Sequence, residues 1–377
     1  MRRLNSLFLC SVLLASCSDN NVTSEPKAAD MRDVRDMRDM RTSQGDVPSD
    51  QDMGAVADET QPAADMKDAS EEDMSPAPDM PPMTARDPGE QGVNGQVTVM
   101  TKDVTVSGRT IPVTLYTPQG AGPFPLVALH HGFNLAPSLY ASYGNHLASW
   151  GFMVAMPEAP GSLLSPTPHS ELAELFLGVV ESLRQEGQVT DVVLAGHSLG
   201  GKVAFLAAAR ATPSASIKGV FGIDAVDALP PTQRQPSARY PSVAPELMGD
   251  FNLPFVSVGE RVNASCSGAF CQACAPEDEN FSQYYAAATT APALEAEIMG
   301  ANHVDFLDNP NCGFTCSVCT QGTLDADKTR LITKRLLTAF ALVYLQGTDA
   351  YKPWLGGSAF AMTDDAGQVI LQRKNGF

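Results

Sequence analysis

One serine in this chain stands where it can act as a nucleophile. The pentapeptide Gly196-His197-Ser198-Leu199-Gly200 follows the apolar run 192–195 and precedes the apolar segment 202–209. This order predicts a buried strand that turns sharply into a helix, with Ser198 at the turn. Glycine is needed at both ends because a side chain there would clash with the neighbouring strand or helix. We therefore predict that Ser198 is a catalytic nucleophile; the alternative is a Ser/Gly packing turn.

The base that activates such a serine takes its proton and later returns it to the leaving group, and histidine suits this role because its pKa lies near neutrality. His303 is the candidate, because it alone among the six histidines follows both the serine and a strand-terminal acid. The alternative is a surface loop histidine. His197 adjoins the serine and is expected to point away from it. The others lie at a predicted strand end or in predicted helices: His130, His131, His146 and His169.

The third member must be a carboxylate that accepts a hydrogen bond from the histidine and fixes its tautomer. Asp224 and Asp227 follow the predicted strand 217–223, and Glu260 follows the predicted strand 255–258. We predict Asp224 as the acid, because it comes directly after its strand. Asp227 is also consistent with a cap on the next turn, and Glu260 is an alternative acid.

Attack on an ester carbonyl creates an oxyanion, which preorganised backbone N–H groups stabilise. We predict that Leu199 supplies one donor at the start of the helix after the serine, and that Phe133 supplies the other. Phe133 lies in the loop 131–134, directly after the predicted strand 126–129. The alternative is that His131-Gly132 is only a turn after a strand.

The elements that would position these residues alternate between strands and helices. Apolar runs predict strands and helical periodicity predicts helices, in this order: a hairpin 97–106 and 110–117, strand 126–129, helix 138–150, strand 152–156, helix 169–186, strand 189–195, a helix after Ser198, strands 217–223 and 255–258, helix 281–288, strand 294–299 and helix 325–345. This order predicts an α/β fold with a mainly parallel central sheet and helices on both faces. The site is expected at the carboxyl ends of the strands. The last strand alternates apolar residues with Glu295 and Glu297, which favours an edge strand.

The N-terminus predicts export. Arg2-Arg3 precede the apolar stretch 4–15, which is too short to cross a bilayer as a mature helix and indicates a secretory signal. The sequence Leu14-Ala15-Ser16-Cys17 resembles the lipobox of bacterial lipoproteins. That resemblance implies a lipoprotein signal peptide over residues 1–17 and acylation of Cys17, which would anchor the protein to the membrane of the bacterial cell envelope, at the outer membrane or cell surface. The alternative is an ordinary signal peptide.

Residues 18–92 are rich in Asp, Pro, Ala and Met and contain no aromatic residue, so they have too little apolar surface to fold. We interpret them as a disordered tether; cation binding by its aspartates is an alternative. The net charge of −18 and the lack of a basic stripe argue against nucleic acid binding. Residues 93–347 are long enough for one α/β domain with its own core. Residues 348–377 form a C-terminal extension that has space for a hairpin at 364–367 and to which we assign no role.

Five stretches resemble chlorophyllase and its relatives among the α/β-hydrolases, over about residues 124–347: LHHGFNL at 129–135, GHSLGGKVAF at 196–205, GIDAVD at 222–227, CAPE at 274–277 and HVDFLD at 303–308. The resemblance implies the α/β-hydrolase fold and hydrolysis of carboxylic esters with a long apolar alcohol. The family's nucleophile, acid and base would fall on Ser198, Asp224 and His303. Leu199 departs from the family, which usually has arginine after the serine. The region is also similar to secreted polyester and lipase-type hydrolases, and for an exported protein we expect a general esterase or lipase.

The six cysteines after residue 92 form two groups: Cys266, Cys271 and Cys274, and then Cys312, Cys316 and Cys319. An even number of cysteines in an exported domain favours disulfides. Fifteen pairings are possible and the sequence leaves them open; bridges between the groups would link the loops that flank His303. The alternative is a zinc site, because the paired C-x-x-C spacings are typical of zinc ligands.

The expected function is hydrolysis of a small-molecule or lipid-like ester through an acyl-enzyme on Ser198, with no cofactor and no metal ion. One alternative is an exported binding protein that keeps the fold without turnover. Another is an acyltransferase, in which an alcohol rather than water accepts the acyl group. The sequence leaves the oligomeric state open.

Overall fold

The computed structural model describes residues 85–162, 164–230, 233–266 and 273–377. The predicted signal peptide with Cys17, the predicted tether up to residue 84, and Cys271 lie outside these residues. No helix within the described ranges is long and apolar enough to cross a lipid bilayer.

A nine-stranded sheet lies at the centre of the described chain. The strands are β1 (Thr98–Val106), β2 (Arg109–Thr117), β3 (Phe124–His130), β4 (Met153–Pro157), β7 (Val189–His197), β8 (Ile217–Ile223), β9 (Phe255–Gly259), β10 (Ala293–Ile298) and β11 (Val369–Lys374), with β5 (Gly161–Ser162) and β6 (Ser165–Pro166) in a separate small hairpin. The spatial order is β1-β2-β4-β3-β7-β8-β9-β10-β11. The six strands from β4 to β10 in this order are parallel to their neighbours in that run, whereas β1, β2 and β11 pair antiparallel.

Helices cover both faces of this sheet. They are α1 (Ala141–Ser149), α2 (His169–Gln185), α3 (Leu199–Arg210), α4 (Ala244–Leu247), α5 (Phe281–Ala287), α6 (Phe314–Ser317), α7 (Ala326–Gln346) and α8 (Ser358–Ala361). One apolar cluster packs α1 and α7 on one face, and a second packs α2 and α3 on the other. Along β3, Val127 and Leu129 belong to the first cluster and Leu126 and Ala128 to the second, which explains its continuous apolar run. The predicted fold class is confirmed.

The longest helix, α7, has local signals at both ends. The Asp325 side chain accepts a hydrogen bond from the Asp327 N–H, which caps the first turn. At the other end, Gly347 adopts a left-handed conformation with φ of 65°, which glycine tolerates better than other residues. These caps explain why the predicted helix 325–345 agrees closely with the observed one.

The folded part of the chain begins earlier than the sequence predicts. Asp87 belongs to the predicted tether. It accepts hydrogen bonds of 2.8 and 2.9 Å from Arg335 of α7. The Gly92 N–H donates to Ser149 Oγ at 2.8 Å. Residues 85–92 are therefore attached to α1 and α7 and are part of the domain.

β10 is not an edge strand, so this prediction was wrong. It pairs with β9 on one side and with β11 on the other. Glu295 is buried and accepts a hydrogen bond from Gln372 of β11, while Glu297 accepts one from Arg261 at 2.7 Å. The acidic residues of β10 thus contact neighbouring elements. The C-terminal extension completes the sheet, and residues 364–367 form a turn and the start of a short 3-10 helix before β11 rather than a hairpin of their own.

Candidate active site

Ser198 lies at the tight turn between β7 and α3, with backbone angles φ 56° and ψ −124°. A Cβ on Gly196 would lie 2.1 Å from the Gly200 carbonyl oxygen, and a Cβ on Gly200 would lie 2.1 Å from the His130 carbonyl oxygen. Both glycines are therefore required by the close approach of backbone atoms. The Ser198 N–H donates to the Ile223 carbonyl at 3.0 Å, which ties the turn to the end of β8.

A hydrogen-bonded chain links the predicted nucleophile, base and acid. Ser198 Oγ lies 2.9 Å from His303 Nε2, and His303 Nδ1 lies 2.6 Å from Asp224 Oδ2. When the Asp224 carboxyl is ionised it can only accept, so the imidazole then donates from Nδ1 and presents the Nε2 lone pair to the serine hydroxyl. Asp224 directly follows β8 and His303 follows β10, so the carboxyl ends of the strands bring together residues that are far apart in sequence.

The hydrogen-bonded residues His303 and Asp224 are buried. His303 is 6% exposed and Asp224 is fully buried. Burial lowers the pKa of His303 to about 4, so the imidazole is neutral near pH 7, as a proton acceptor must be. Burial raises the pKa of the Asp224 carboxyl, and hydrogen bonds from Glu260 oppose this rise.

Glu260, the alternative acid from the sequence, lies beside Asp224. Its backbone N–H donates to Asp224 Oδ1 at 3.2 Å, and its Oε2 accepts from the Asn263 N–H at 2.9 Å. Within the described residues, no hydrogen bond joins Glu260 to His303. Burial and the neighbouring Asp224 raise the pKa of Glu260. The geometry thus favours Asp224 as the residue that holds His303.

Asp227 has a structural environment. Its carboxylate pairs with Lys202 Nζ at 2.9 Å, and neither side chain is more than 4% exposed. It also accepts hydrogen bonds from the N–H groups of Val243 and Ala244, at 2.8 and 3.0 Å, at the start of α4. Asp227 therefore caps the start of α4, rather than the turn that directly follows β8.

Asp224, Glu260 and His303 are also the described residues whose donor atoms come close enough to hold a metal ion, within 4.8 Å of one another. The distance of 2.6 Å between His303 Nδ1 and Asp224 Oδ2 is that of a direct hydrogen bond and leaves no space for a cation between these atoms. The arrangement therefore fits proton transfer better than metal binding.

The predicted oxyanion donors lie on two segments that meet at the serine. A Cβ on Gly132 would lie 3.3 Å from Ser198 Cβ, so the loop after β3 packs directly against the turn. The Gly132 carbonyl accepts from His131 Nδ1 at 2.7 Å and from the Leu135 N–H at 3.2 Å. Because a trans peptide points its N–H opposite to its carbonyl, these bonds also orient the Phe133 N–H. Within the described residues, neither this N–H nor that of Leu199 donates to a protein acceptor.

Two contacts of the site were not anticipated from the sequence. The buried His197 side chain points away from Ser198, as expected, and its Nε2 lies 2.9 Å from the His303 carbonyl oxygen. Its Nδ1 lies 2.8 Å from Tyr140 Oη. No sequence signal pairs Tyr140 with His197, because they are 57 residues apart.

The cysteines form disulfides as predicted, and the structure gives pairings that the sequence left open. Cys274–Cys319 joins the two groups, with Cα atoms 5.6 Å apart, but Cys312–Cys316 lies within the second group. Cys266 is also disulfide-bonded. Three cysteines of the two C-x-x-C pairs are thus engaged in bridges, which contradicts the zinc alternative.

The Cys274–Cys319 bridge reinforces a contact between the loops on either side of His303. Asn263 Nδ2 donates to the Thr320 carbonyl at 3.0 Å, and the Thr320 N–H donates to Asn263 Oδ1 at 2.8 Å. Asn263 also binds Glu260, next to the acid. The bridge is therefore placed to stabilise the neighbourhood of Asp224.

The sheet order, the strained serine between a strand and a helix, and the histidine and acid at the carboxyl ends of the strands together define an α/β-hydrolase fold. The chlorophyllase family model matches residues 89–352, which is more than half of the chain. The chain belongs to the chlorophyllase family, and this membership indicates an ester hydrolase of the α/β-hydrolase type.

Similar proteins include three plant chlorophyllases. The chain is 27% identical over 252 residues to chloroplastic chlorophyllase-1 of Citrus sinensis, covering 63% of this chain and 73% of that protein. It is 28% identical over 267 residues to chlorophyllase-1 of Arabidopsis thaliana, covering 63% and 78%. It is 27% identical over 270 residues to chlorophyllase-2 of Arabidopsis thaliana, covering 65% and 83%.

Removing the two bridges should have unequal effects on stability. The Cys274–Cys319 bridge closes a separation of 45 residues and the Cys312–Cys316 bridge one of 4, for which loop-closure entropy gives about 4 and about 2 kcal/mol. We expect the double variant C274S/C319S to lose more free energy of unfolding than C312S/C316S, as measured by urea denaturation. Equal losses of unfolding free energy in the two double variants would show that the longer loop closed by Cys274–Cys319 adds no stability.

Proposed function

We propose that this protein is a serine hydrolase that cleaves carboxylic esters through an acyl-enzyme intermediate on Ser198. The observation that carries the proposal is the chain from Ser198 Oγ through His303 to Asp224, with distances of 2.9 and 2.6 Å. Such a chain makes a hydroxyl nucleophilic at neutral pH, because a neutral imidazole accepts its proton at the moment of attack.

In the proposed reaction, Ser198 Oγ attacks the ester carbonyl while its proton passes to His303 Nε2. Asp224 stabilises the resulting imidazolium through the Nδ1 hydrogen bond. His303 then donates the proton to the alcohol oxygen as the carbon–oxygen bond breaks, which leaves the acyl group on Ser198. Water, deprotonated by the same imidazole, attacks the acyl-enzyme and releases the acid.

The tetrahedral intermediate of each step carries a negative oxygen. We assign its two donors to the backbone N–H groups of Leu199 and Phe133, which flank Ser198 and make no other hydrogen bond to a described residue. Leu199 is the first residue of α3, where the helix dipole also favours negative charge. Donors that are already held in place need no reorganisation when the charge develops.

We propose esters with apolar groups as the substrate class. Leu199 adjoins Ser198 in the chain, and Phe133 adjoins Gly132, which packs against Ser198. Both residues are apolar and half-buried, and they would offer an apolar surface to an acyl or alcohol chain. The similar plant proteins are named as chlorophyllases, which supports a long apolar alcohol as one acceptable leaving group.

Labelling and turnover together test the proposed function. We expect a fluorophosphonate to label the protein at Ser198 and p-nitrophenyl esters to be hydrolysed, and S198A and H303A to lose both, with turnover reduced by at least about 10³-fold. The exposed serine variant S214A is the control and should match the parent. An unlabelled, inactive parent would instead indicate a binding protein, and preferential transfer to an added alcohol would indicate an acyltransferase.

Substitutions of the two neighbouring acids, Asp224 and Glu260, should have clearly different effects on kcat in the same assay. We expect D224N to reduce kcat by about 10³- to 10⁴-fold, because the amide favours the wrong imidazole tautomer. E260Q should stay within about tenfold, since glutamine resembles the protonated carboxyl that burial favours. The opposite ranking of the two variants would assign the role of the acid to Glu260.

We further propose that the hydrolase is exported and held on the cell envelope by acylation of Cys17, with the following segment as a spacer. The support is the sequence Leu14-Ala15-Ser16-Cys17 after a short apolar stretch. We expect C17S to move esterase activity from the membrane fraction of the producing cells to the soluble fraction. Retention of C17S in the membrane fraction would contradict the anchor.

A further inference from the structure

Tyr140 and His197 join two parts of the site that are separate in sequence. The Gly132 N–H lies 3.1 Å from Tyr140 Oη, and Tyr140 Oη lies 2.8 Å from His197 Nδ1. His197 Nε2 lies 2.9 Å from the carbonyl oxygen of His303. Four groups thus form one continuous chain, and all of the residues involved are buried.

The end groups fix the two outer hydrogen bonds in this chain, and a neutral His197 fixes the one between them. The Gly132 N–H can only donate, so Tyr140 Oη accepts from it. The His303 carbonyl can only accept, so His197 Nε2 must carry a proton. In a neutral imidazole Nδ1 is then an acceptor, so Tyr140 Oη donates to it, and the neutral Nε2–H tautomer of His197 satisfies all three bonds.

The electrostatic environment agrees with that state. Burial, with a contribution from the neighbouring His303, lowers the pKa of His197 well below its ordinary value. Burial also raises the pKa of Tyr140, so its hydroxyl keeps its proton. The His197 and His303 rings lie 4.7 Å apart between centroids, and a charge on His197 would oppose the imidazolium that forms on His303 during catalysis.

We propose that Tyr140 and His197 are positioning residues. They hold the loop 131–134, which carries the proposed oxyanion donor, and the base His303 at fixed positions relative to Ser198. The proposal rests on the proposed esterase function. His197 precedes Ser198 in the chain and binds the backbone of His303, so it fixes the base relative to the serine. Tyr140 binds Gly132, whose carbonyl shares a peptide unit with the Phe133 N–H, so it fixes the oxyanion donor relative to the same point.

A misplaced group costs catalysis because the reacting atoms must meet within a few tenths of an ångström. Without the Tyr140 hydroxyl, the Gly132 N–H and His197 Nδ1 both lose their partner in a buried place. The loop and the imidazole must then shift or admit water to recover hydrogen bonds. The loss falls on transition-state interactions, whereas the apolar surface that binds the substrate is unchanged.

The variant Y140F tests this role, with Y143F as the matched control. Tyr143 is equally buried, lies one helical turn away, and donates one hydrogen bond to the Phe306 carbonyl at 2.9 Å. For Y140F we expect kcat on p-nitrophenyl esters to fall by about 10- to 100-fold with KM within about threefold. For Y143F both constants should stay within about threefold of the parent, although both variants lose stability.

Equal kinetic losses in Y140F and Y143F, or an unchanged kcat in Y140F, would overturn the positioning role. The proposed function would still stand, because the parent protein would be active. A parent that neither turns over esters nor reacts with fluorophosphonate overturns the proposed function itself.

A measurement on the unaltered protein covers the case in which Y140F fails to fold. In protein labelled with ¹⁵N-histidine, we expect His197 at neutral pH to show a protonated Nε2 and an unprotonated Nδ1 that accepts a hydrogen bond. This readout needs no substrate, so it is independent of the proposed function. The Nδ1–H tautomer or an imidazolium at His197 would contradict the chain.

Discussion

The site depends on the strained backbone at Ser198. A serine with φ of 56° is costly, and the surroundings hold it there. Its N–H binds the Ile223 carbonyl at the end of β8, and its carbonyl accepts from the Val226 N–H at 3.2 Å. The turn is thus attached on both sides to the segment that carries Asp224, so Ser198 and Asp224 are placed by the same backbone contacts. Two glycines make this possible, because the strand, the turn and the loop after β3 approach within backbone contact.

Much of the fold follows from local patterns. The parallel strands β3, β7 and β8 are buried on both faces, so their apolar runs are continuous and their positions are predictable. The place of β10 was not predictable from its own residues. Alternation with Glu295 and Glu297 indicates one polar face, but the partners of these acids come from Gln372 and Arg261, which are distant in sequence. The same limit explains why the role of the C-terminal segment was missed.

The residues of the site likewise divide into those that the sequence predicts and those that only the structure reveals. The tight turn and the order serine, acid, histidine have sequence signals, so Ser198, Asp224 and His303 were predicted and the structure brings them together. The choice between Asp224 and Glu260 required distances, because both directly follow neighbouring strands. The disulfide pairing and the contacts of Tyr140 with His197 are tertiary, and no spacing rule specifies them. They nevertheless act on the same part of the molecule, since they hold the loops that carry His303, Asp224 and Phe133.

The central claim is that Ser198, His303 and two backbone N–H groups act together on one carbonyl group. The most direct measurement is a crystal structure of the protein after reaction with a fluorophosphonate. The account predicts a covalent bond from phosphorus to Ser198 Oγ, with the phosphonyl oxygen within about 3.1 Å of the Phe133 and Leu199 nitrogens. An adduct on another residue, or a phosphonyl oxygen directed into solvent away from both nitrogens, would contradict it.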